Sequence, residues 1–86
     1  MSDNLRFIGF YKRKKPVAEF ILYEDNGVKR LTNGMVVHEA FPSRMMDLRP
    51  VEQIDASLFL TCARYYFPNT PLERMIREAT REQLAT

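Results

Sequence analysis

The chain has 86 residues, of which 45% are hydrophobic and 28% are charged, and its formal net charge is +2. This length and composition predict one small folded domain over residues 1–86, with a single core and little room for an enclosed pocket. The only cysteine, Cys62, excludes an internal disulfide and a multi-cysteine zinc site. No apolar run reaches the ~18 to 20 residues of a membrane span, and residues 1–4 lack the features of a signal peptide. The sequence therefore predicts a soluble cytoplasmic protein.

Two Asn-Gly pairs, Asn26-Gly27 and Asn33-Gly34, predict the turns of an antiparallel sheet. Each pair lies between short runs of alternating apolar residues, and Asn-Gly favours the positive φ angles of a type I′ hairpin turn. Both glycines are therefore expected to have positive φ. Centring the turns on these pairs sets the strand register. It places Glu24 opposite Lys29 and Leu31 opposite Val36.

A first hairpin is predicted from the apolar-rich runs 5–12 and 17–24, with Lys14-Lys15 as its turn. Its register places Gly9 opposite Phe20. This hairpin and the two Asn-Gly turns together predict four strands in a meander over residues 1–41, which form the sheet half. One sheet face is predicted to be the core side, with Phe7, Tyr11, Phe20, Leu22, Leu31 and Val36. The opposite face carries a second apolar set without predicted cover, which comprises Ile8, Phe10, Ile21, Tyr23 and Val37.

Residues 43–86 are predicted to be the helical half. Ser43 is expected to cap a short helical turn, and Pro50 favours the start of a helix that runs to about Phe67. The inner stripe of this helix is predicted to be Val51, Ile54, Leu58, Cys62 and Tyr65. The segment 70–73, Thr-Pro-Leu-Glu, matches a capping box and predicts a second helix over 71–84. The predicted fold class is α+β, a four-stranded antiparallel β-meander followed by two helices packed on one sheet face.

No group of residues indicates catalytic chemistry. His38 is the only histidine, and no sequence argument brings Cys62 or a serine within its reach. The three glycines are accounted for by turns and strand packing, which argues against a phosphate-binding loop. The sequence predicts a non-enzymatic protein with no metal, no cofactor and no small-molecule substrate.

Basic residues are concentrated in the sheet half. Residues 1–49 hold nine Lys and Arg against six Asp and Glu, whereas residues 50–86 hold four against five. The run Lys12-Arg13-Lys14-Lys15 lies at the tip of the first hairpin. It has two interpretations, a solvated tip or a contact with phosphate groups or an acidic partner.

The leading hypothesis is an interaction or regulatory protein that binds a larger protein, or a second copy of itself, through the uncovered sheet face and the basic tip. Size and element order also compare with small phage-type inhibitors and adaptors, an analogy that concerns the fold alone. The apolar surplus of the first long helix favours an interface as well. The alternative is a nucleic-acid-binding module, with the tip on phosphates and sheet aromatics against bases, although no RNP-type motif is present. Candidate partner-binding residues are Arg6, Phe10, Lys12, Arg13, Lys14, Lys15, Tyr23 and Arg30.

Overall fold

The computed structural model of the protein describes residues 4–84. Its five strands are β1 (Leu5–Lys14), β2 (Val17–Asp25), β3 (Val28–Thr32), β4 (Val37–Glu39) and β5 (Leu48–Val51). They form one antiparallel sheet in the order β4-β3-β2-β1-β5. The helices are α1 (Pro42–Met45), α2 (Ala56–Tyr66) and α3 (Pro71–Leu84). The predicted α+β class is confirmed, with β5 as an additional strand. Residues 1–3, part of the segment predicted not to be a signal peptide, lie outside the described residues.

The first hairpin turns one residue later than predicted. Lys14 pairs with Val17, so the turn consists of Lys15 and Pro16. Proline suits a turn because its φ is fixed and it has no N–H for a strand ladder. Gly9 consequently pairs with Leu22, and the prediction that it faces Phe20 is wrong.

A β-bulge in β1 changes which side chains share a face. Phe7 pairs with Tyr23 and Gly9 pairs with Leu22, so Ile8 is the extra residue. A bulge breaks the alternation of a strand. Phe7 therefore joins Phe10 on one face, with 4.8 Å between their ring centroids, whereas Ile8 packs on the other face. The sequence pattern had predicted the reverse, with Phe7 on the face where Ile8 packs and Ile8 on the face where Phe7 packs.

The glycine conformations and the Glu24–Lys29 pair are confirmed, with φ of +86° at Gly27 and +92° at Gly34. The turn at Asn33-Gly34 is longer than predicted, because Leu31 pairs with His38 and not with Val36.

Side chains at the start of this loop hold the backbone of residues 33–36. Asn33 Oδ1 accepts hydrogen bonds from the N–H groups of Met35 and Val36, both at 3.0 Å. Thr32 Oγ1 accepts from Gly34 N–H at 3.0 Å and donates to the carbonyl of Val36 at 2.8 Å. These bonds support a four-residue loop where the sequence predicted a two-residue turn.

Helices α2 and α3 cover the sheet face that was predicted to lack intramolecular cover. We name it the helix face, and its core cluster comprises Ile21, Tyr23, Ile54, Phe59, Ala63, Met75 and Ile76. The other face, which we name the crossover face, carries Phe20, Leu22, Leu31 and Leu48.

The connection between β4 and β5 explains why the helices lie where they do. These strands occupy opposite edges of the sheet, so residues 40–47 have to cross it. Ala40 and Met45 pack on the crossover cluster, which places the connection on that face and leaves the helix face for α2 and α3. Both faces carry apolar residues, so strand alternation alone cannot determine which face receives the helices.

The first long helix begins six residues later than predicted, because residues 48–51 form β5. Pro50 is tolerated on this edge strand. Asp55 is the N-cap of α2, and its carboxylate accepts from Leu58 N–H at 3.0 Å. The residues that α2 buries are Ala56, Phe59, Leu60 and Ala63, so the predicted inner stripe through Leu58, Cys62 and Tyr65 is wrong.

The other helix boundaries agree better with the sequence. The short helical turn exists as α1, but its N-cap is Phe41, which makes no side-chain cap bond, and not Ser43. Thr70 caps α3 as predicted, because its Oγ1 accepts from Glu73 N–H at 3.1 Å. Within residues 4–84 none of the helices combines the length and the apolar character that a membrane crossing needs.

Candidate interaction surfaces and the end cleft

The predicted partner-binding residues do not form one site. The basic run lies at the hairpin tip, whereas Arg6, Tyr23 and Arg30 lie toward the opposite end of the sheet. Arg6 and Lys14 are eight positions apart on β1, which corresponds to roughly 26 Å along a strand. Arg6 lies on the crossover face. It pairs with Glu24, and because side chains alternate along a strand, Glu24 lies on the face opposite to that of its neighbour Tyr23.

Phe10 and Tyr23 do not form an open platform. Tyr23 is only 3% exposed, and Phe10 packs against the core cluster beneath the helices. Neither ring can stack on a nucleic-acid base without displacing α2 or α3. The expectation that this face lacks intramolecular cover is therefore wrong, and the surface functions proposed for these two residues lose their geometric basis.

The basic tip keeps part of its predicted charge available. Lys14 and Lys15 are exposed, while Lys12 Nζ lies 3.6 Å from Glu19 Oε2. Arg13 Nε donates to the carbonyl of Pro16 at 2.9 Å, and its guanidinium lies 5.5 Å from the ring centroid of Phe20. Arg13 thus also stabilises the fold.

Sequence reasoning missed a fifth cation at the basic tip. Arg49 of β5 pairs with Lys12 of β1, so both side chains project from the same face of neighbouring strands. The signal was hidden because residues 48–51 were assigned to a helix. The basic tip, as we use the term below, comprises Lys12, Arg13, Lys14, Lys15 and Arg49.

Helix α2 leaves large apolar side chains in solvent. Leu58 is 57% exposed, Tyr65 is 76% exposed and Tyr66 is 50% exposed. The rings of Tyr65 and Tyr66 meet edge to face with 4.8 Å between centroids. This edge-to-face geometry is a favourable arrangement for two aromatic rings.

The loop between β3 and β4 extends this surface. A Cβ atom at Gly34 would lie 3.2 Å from Cys62 Cβ, which shows that the loop is packed directly on α2. The next two residues, Met35 and Val36, are both exposed. We name the combined set the α2 surface, and it comprises Met35, Val36, Leu58, Tyr65 and Tyr66.

An open cleft of about 560 Å³ lies at the end of the molecule opposite the basic tip. Its apolar walls are contributed by the sheet and by the α2–α3 connection, and they comprise Leu5, Val37, Phe67, Pro71 and Leu72. Its polar lining includes Asn4, Tyr23, Asp25, Asn26, Arg30 and Thr70. We name it the end cleft.

The polar lining of the end cleft is partly self-paired. Arg30 Nε lies 3.3 Å from Asp25 Oδ2, and Asn4 Nδ2 donates to Asn26 Oδ1 at 2.7 Å. Burial raises the pKa of Tyr23 to about 12, an effect that Arg30 opposes and Asp25 reinforces. The phenol is therefore protonated, and a hydrogen-bond donor, throughout the physiological pH range.

The outer side of α3 is charged. Arg77 Nη2 lies 3.3 Å from Oε2 of Glu73, a buried residue one turn earlier in the helix, which forms an i,i+4 ion pair. Arg74, Glu78 and Arg81 line the same side. Mixed charges of this kind are typical of a solvated helix surface.

Comparison of the chain with protein-family models, curated proteins and solved structures yields no match. Within residues 4–84 no three His, Cys, Asp or Glu side chains are grouped so that they could hold a metal ion.

Proposed function

We propose that this protein is a non-enzymatic interaction protein of the cytoplasm that binds a larger protein through the α2 surface, with the basic tip as a second contact. The observation that carries the proposal is the exposure of Leu58, Tyr65 and Tyr66 on one helix. A lone free thiol, Cys62, is consistent with a reducing compartment.

The composition of the α2 surface supports a protein partner. Tyrosine and methionine are enriched in protein interfaces, and buried aromatic residues often contribute most of the binding free energy. The described part of α2 contains no acidic residue, so its apolar side chains can be desolvated without burying a carboxylate. Arg64 lies in the last turn of α2 and can serve the polar rim.

Folding does not require these residues to be apolar. Both faces of the sheet are already covered, by α2 and α3 on one side and by the connection 40–47 on the other. Large apolar patches in solvent promote unwanted association, so their retention favours a binding role.

Two double variants, one on α2 and one on α3, test this proposal. We expect Leu58→Glu with Tyr65→Glu to abolish capture of partners that are recovered reproducibly from cytoplasmic extract by the tagged wild-type chain, because charges would be buried in the interface. Arg74→Glu with Arg81→Glu, which alters two exposed positions of α3, is the control and should retain those partners. The readout is quantitative mass spectrometry of nuclease-treated pull-downs.

Sedimentation of the purified chain distinguishes a larger protein partner from a second copy of this chain. A concentration-dependent dimer that the α2 double variant abolishes would assign the surface to a second copy. Retention of every partner by the α2 double variant, with a monomeric wild type, would contradict the proposal.

The basic tip favours a second candidate function, nucleic-acid binding. Its support is the pairing of Arg49 with Lys12, which adds a cation beside the four-residue run. This candidate relies on phosphate contacts alone, because Phe10 and Tyr23 are covered.

Salt dependence tests the second candidate. Four phosphate contacts on duplex DNA would give a slope of log affinity against log salt near ~−3.6. Replacing Lys14 and Lys15 by Ala should reduce the magnitude of that slope by about 2. Absence of measurable binding to DNA or RNA at low salt would exclude this candidate.

A further inference from the structure

We propose that the end cleft binds a small uncharged ligand that combines an apolar body, such as an aromatic ring, with a carbonyl oxygen. Tyr23 would donate a hydrogen bond to that oxygen. The inference is independent of the α2 surface, and it departs from the sequence-based prediction that the protein has no small-molecule partner.

The hydroxyl of Tyr23 carries the inference. The residue is 3% exposed, and its side chain lines the cleft. Among residues 4–84 the hydroxyl has no hydrogen-bond partner, yet it is not one of the fully buried unsatisfied atoms. It therefore meets the open space of the cleft. Because the fold gives this accessible hydroxyl no partner, it can donate a hydrogen bond to an acceptor that enters the cleft.

The size and lining of the cleft suit a small molecule. A volume of about 560 Å³ lies within the roughly 300 to 1,000 Å³ that is typical of ligand sites. Such sites are mostly apolar with a few convergent polar groups, and this cleft combines apolar walls from Val37, Phe67 and Leu72 with the phenol of Tyr23 and other polar side chains.

The charges around the cleft favour an uncharged ligand. The two charged residues that line the cleft, Arg30 and Asp25, lie 3.3 Å apart and compensate each other, so the lining has no net charge. An anionic ligand would therefore be repelled by the carboxylate of Asp25, and a cationic ligand would be repelled by the guanidinium of Arg30. A carbonyl oxygen avoids both repulsions. The first turn of α3 borders the cleft, and its partial positive charge also favours an acceptor oxygen.

Acetophenone is a suitable probe, because it joins an aromatic ring to an uncharged carbonyl. Ethylbenzene has nearly the same shape without the acceptor, and benzoate carries a negative charge. We expect saturable shifts of the backbone amide signals of cleft residues on titration with acetophenone in two-dimensional NMR spectra. Ethylbenzene should bind about fivefold more weakly or worse, the effect of one hydrogen bond. Benzoate should also bind more weakly than acetophenone.

Tyr23→Phe removes only the hydroxyl. In this variant we expect the affinity for acetophenone to fall about fivefold, to the level of ethylbenzene, while ethylbenzene binding is unchanged. The melting temperature should not fall, since the hydroxyl has no partner in the fold. Tyr11→Phe, on the crossover face, is the matched control and should bind acetophenone like the wild type.

A second variant covers the case in which Tyr23→Phe fails to fold. Val37→Phe adds bulk at the half-exposed wall of the cleft and should abolish binding of all three probes. Three results would overturn the inference: no saturable shift up to the solubility limit, shifts confined to residues outside the cleft, or equal acetophenone affinity in wild type and Tyr23→Phe. Tighter binding of benzoate than of acetophenone would overturn the assignment of an uncharged ligand.

Discussion

Helices α2 and α3 pack side by side on the same sheet face, but they differ in the side chains that they leave in solvent. The outer side of α3 carries Arg74, Arg77, Glu78 and Arg81. The outer side of α2 carries Leu58 and Tyr65, with Tyr66 beside them. Both helices bury an apolar side that contributes to one core cluster.

This difference separates the requirements of folding from those of binding. For α3, burial of Met75, Ile76 and Thr80 together with a charged outer side accounts for nearly every residue. For α2, the buried residues are Ala56, Phe59, Leu60 and Ala63, and large apolar side chains remain exposed on the other side of the helix. Within residues 4–84, α2 and the neighbouring loop hold five of the eleven large apolar residues that are exposed, and Val17, Phe41 and Met46 are among the others.

The largest expected effect concerns two adjacent residues of α2. Phe59 is 3% exposed and Leu58 is 57% exposed. We expect Phe59→Ala to lower the free energy of unfolding by about 3 to 5 kcal/mol through lost burial and cavity formation. Leu58→Ala should change it by less than about 0.5 kcal/mol, as for most exposed positions. Urea denaturation measures both. A larger loss of stability for Leu58→Ala than for Phe59→Ala would indicate that Leu58 faces the core, as predicted from the sequence, and would contradict the assignment of Leu58 to the α2 surface.

The accuracy of sequence-based prediction follows the same division. The α3 helix and its Thr70 cap could be predicted, because the segment 70–73 matches a capping box and the polar and apolar residues are clearly separated around the helix. The inner side of α2 could not be predicted, since apolar residues surround most of the helix. Two overlapping stripes were therefore equally consistent with helical spacing. The α+β class and the glycine turns were predictable from local signals alone.

The remaining errors have non-local causes. The bulge at Ile8 and the edge strand β5 depend on contacts between distant parts of the chain, and a local pattern does not contain them. Of the candidate site, the basic tip was predictable as a run of charges. Its fifth member, Arg49, and the cleft around Tyr23 required the tertiary structure.

The second prediction concerns the core cluster that the two helices share. The pKa of Tyr23 is raised from 10.0 to about 12, mainly by burial. Because the folded state holds the phenol neutral, the unfolded state loses this proton at lower pH. The stabilisation is complete below pH ~10 and is lost as the pH rises to ~12, a change of about 2 to 3 kcal/mol.

The variant Tyr23→Phe isolates this contribution. It removes the titrating group, so its unfolding free energy should fall less than that of the wild type between pH ~10 and pH ~12. Denaturation curves collected across this pH interval, with Tyr11→Phe as control, measure the difference. Parallel pH profiles for wild type and Tyr23→Phe would show that the helices do not bury this phenol.

The third prediction tests the contact between α2 and the β3–β4 loop. Gly34 has φ of +92°, and a Cβ atom there would lie 3.2 Å from Cys62 Cβ. Gly27 has a similar φ of +86° but no neighbouring atom within 4 Å. We expect Gly27→Ala to destabilise by about 1 kcal/mol from backbone strain alone, and Gly34→Ala by about 2 kcal/mol because steric crowding is added. Equal losses in thermal denaturation would indicate that the loop does not pack on α2.

The smallest expected effect on stability is the most informative for the α2 surface. The double variant Leu58→Glu with Tyr65→Glu places two charges where the side chains are already largely solvated. If these residues have no role in folding, the free energy of unfolding should stay within about 1 kcal/mol of the wild type, the sum expected for two exposed positions. Chemical denaturation tests this, with the α3 double variant Arg74→Glu, Arg81→Glu as the comparison. A loss of several kcal/mol would mean that α2 uses its outer side in folding, and lost partner capture could then be ascribed to unfolding. A stable variant that no longer captures a partner would instead assign the exposed residues of α2 to binding.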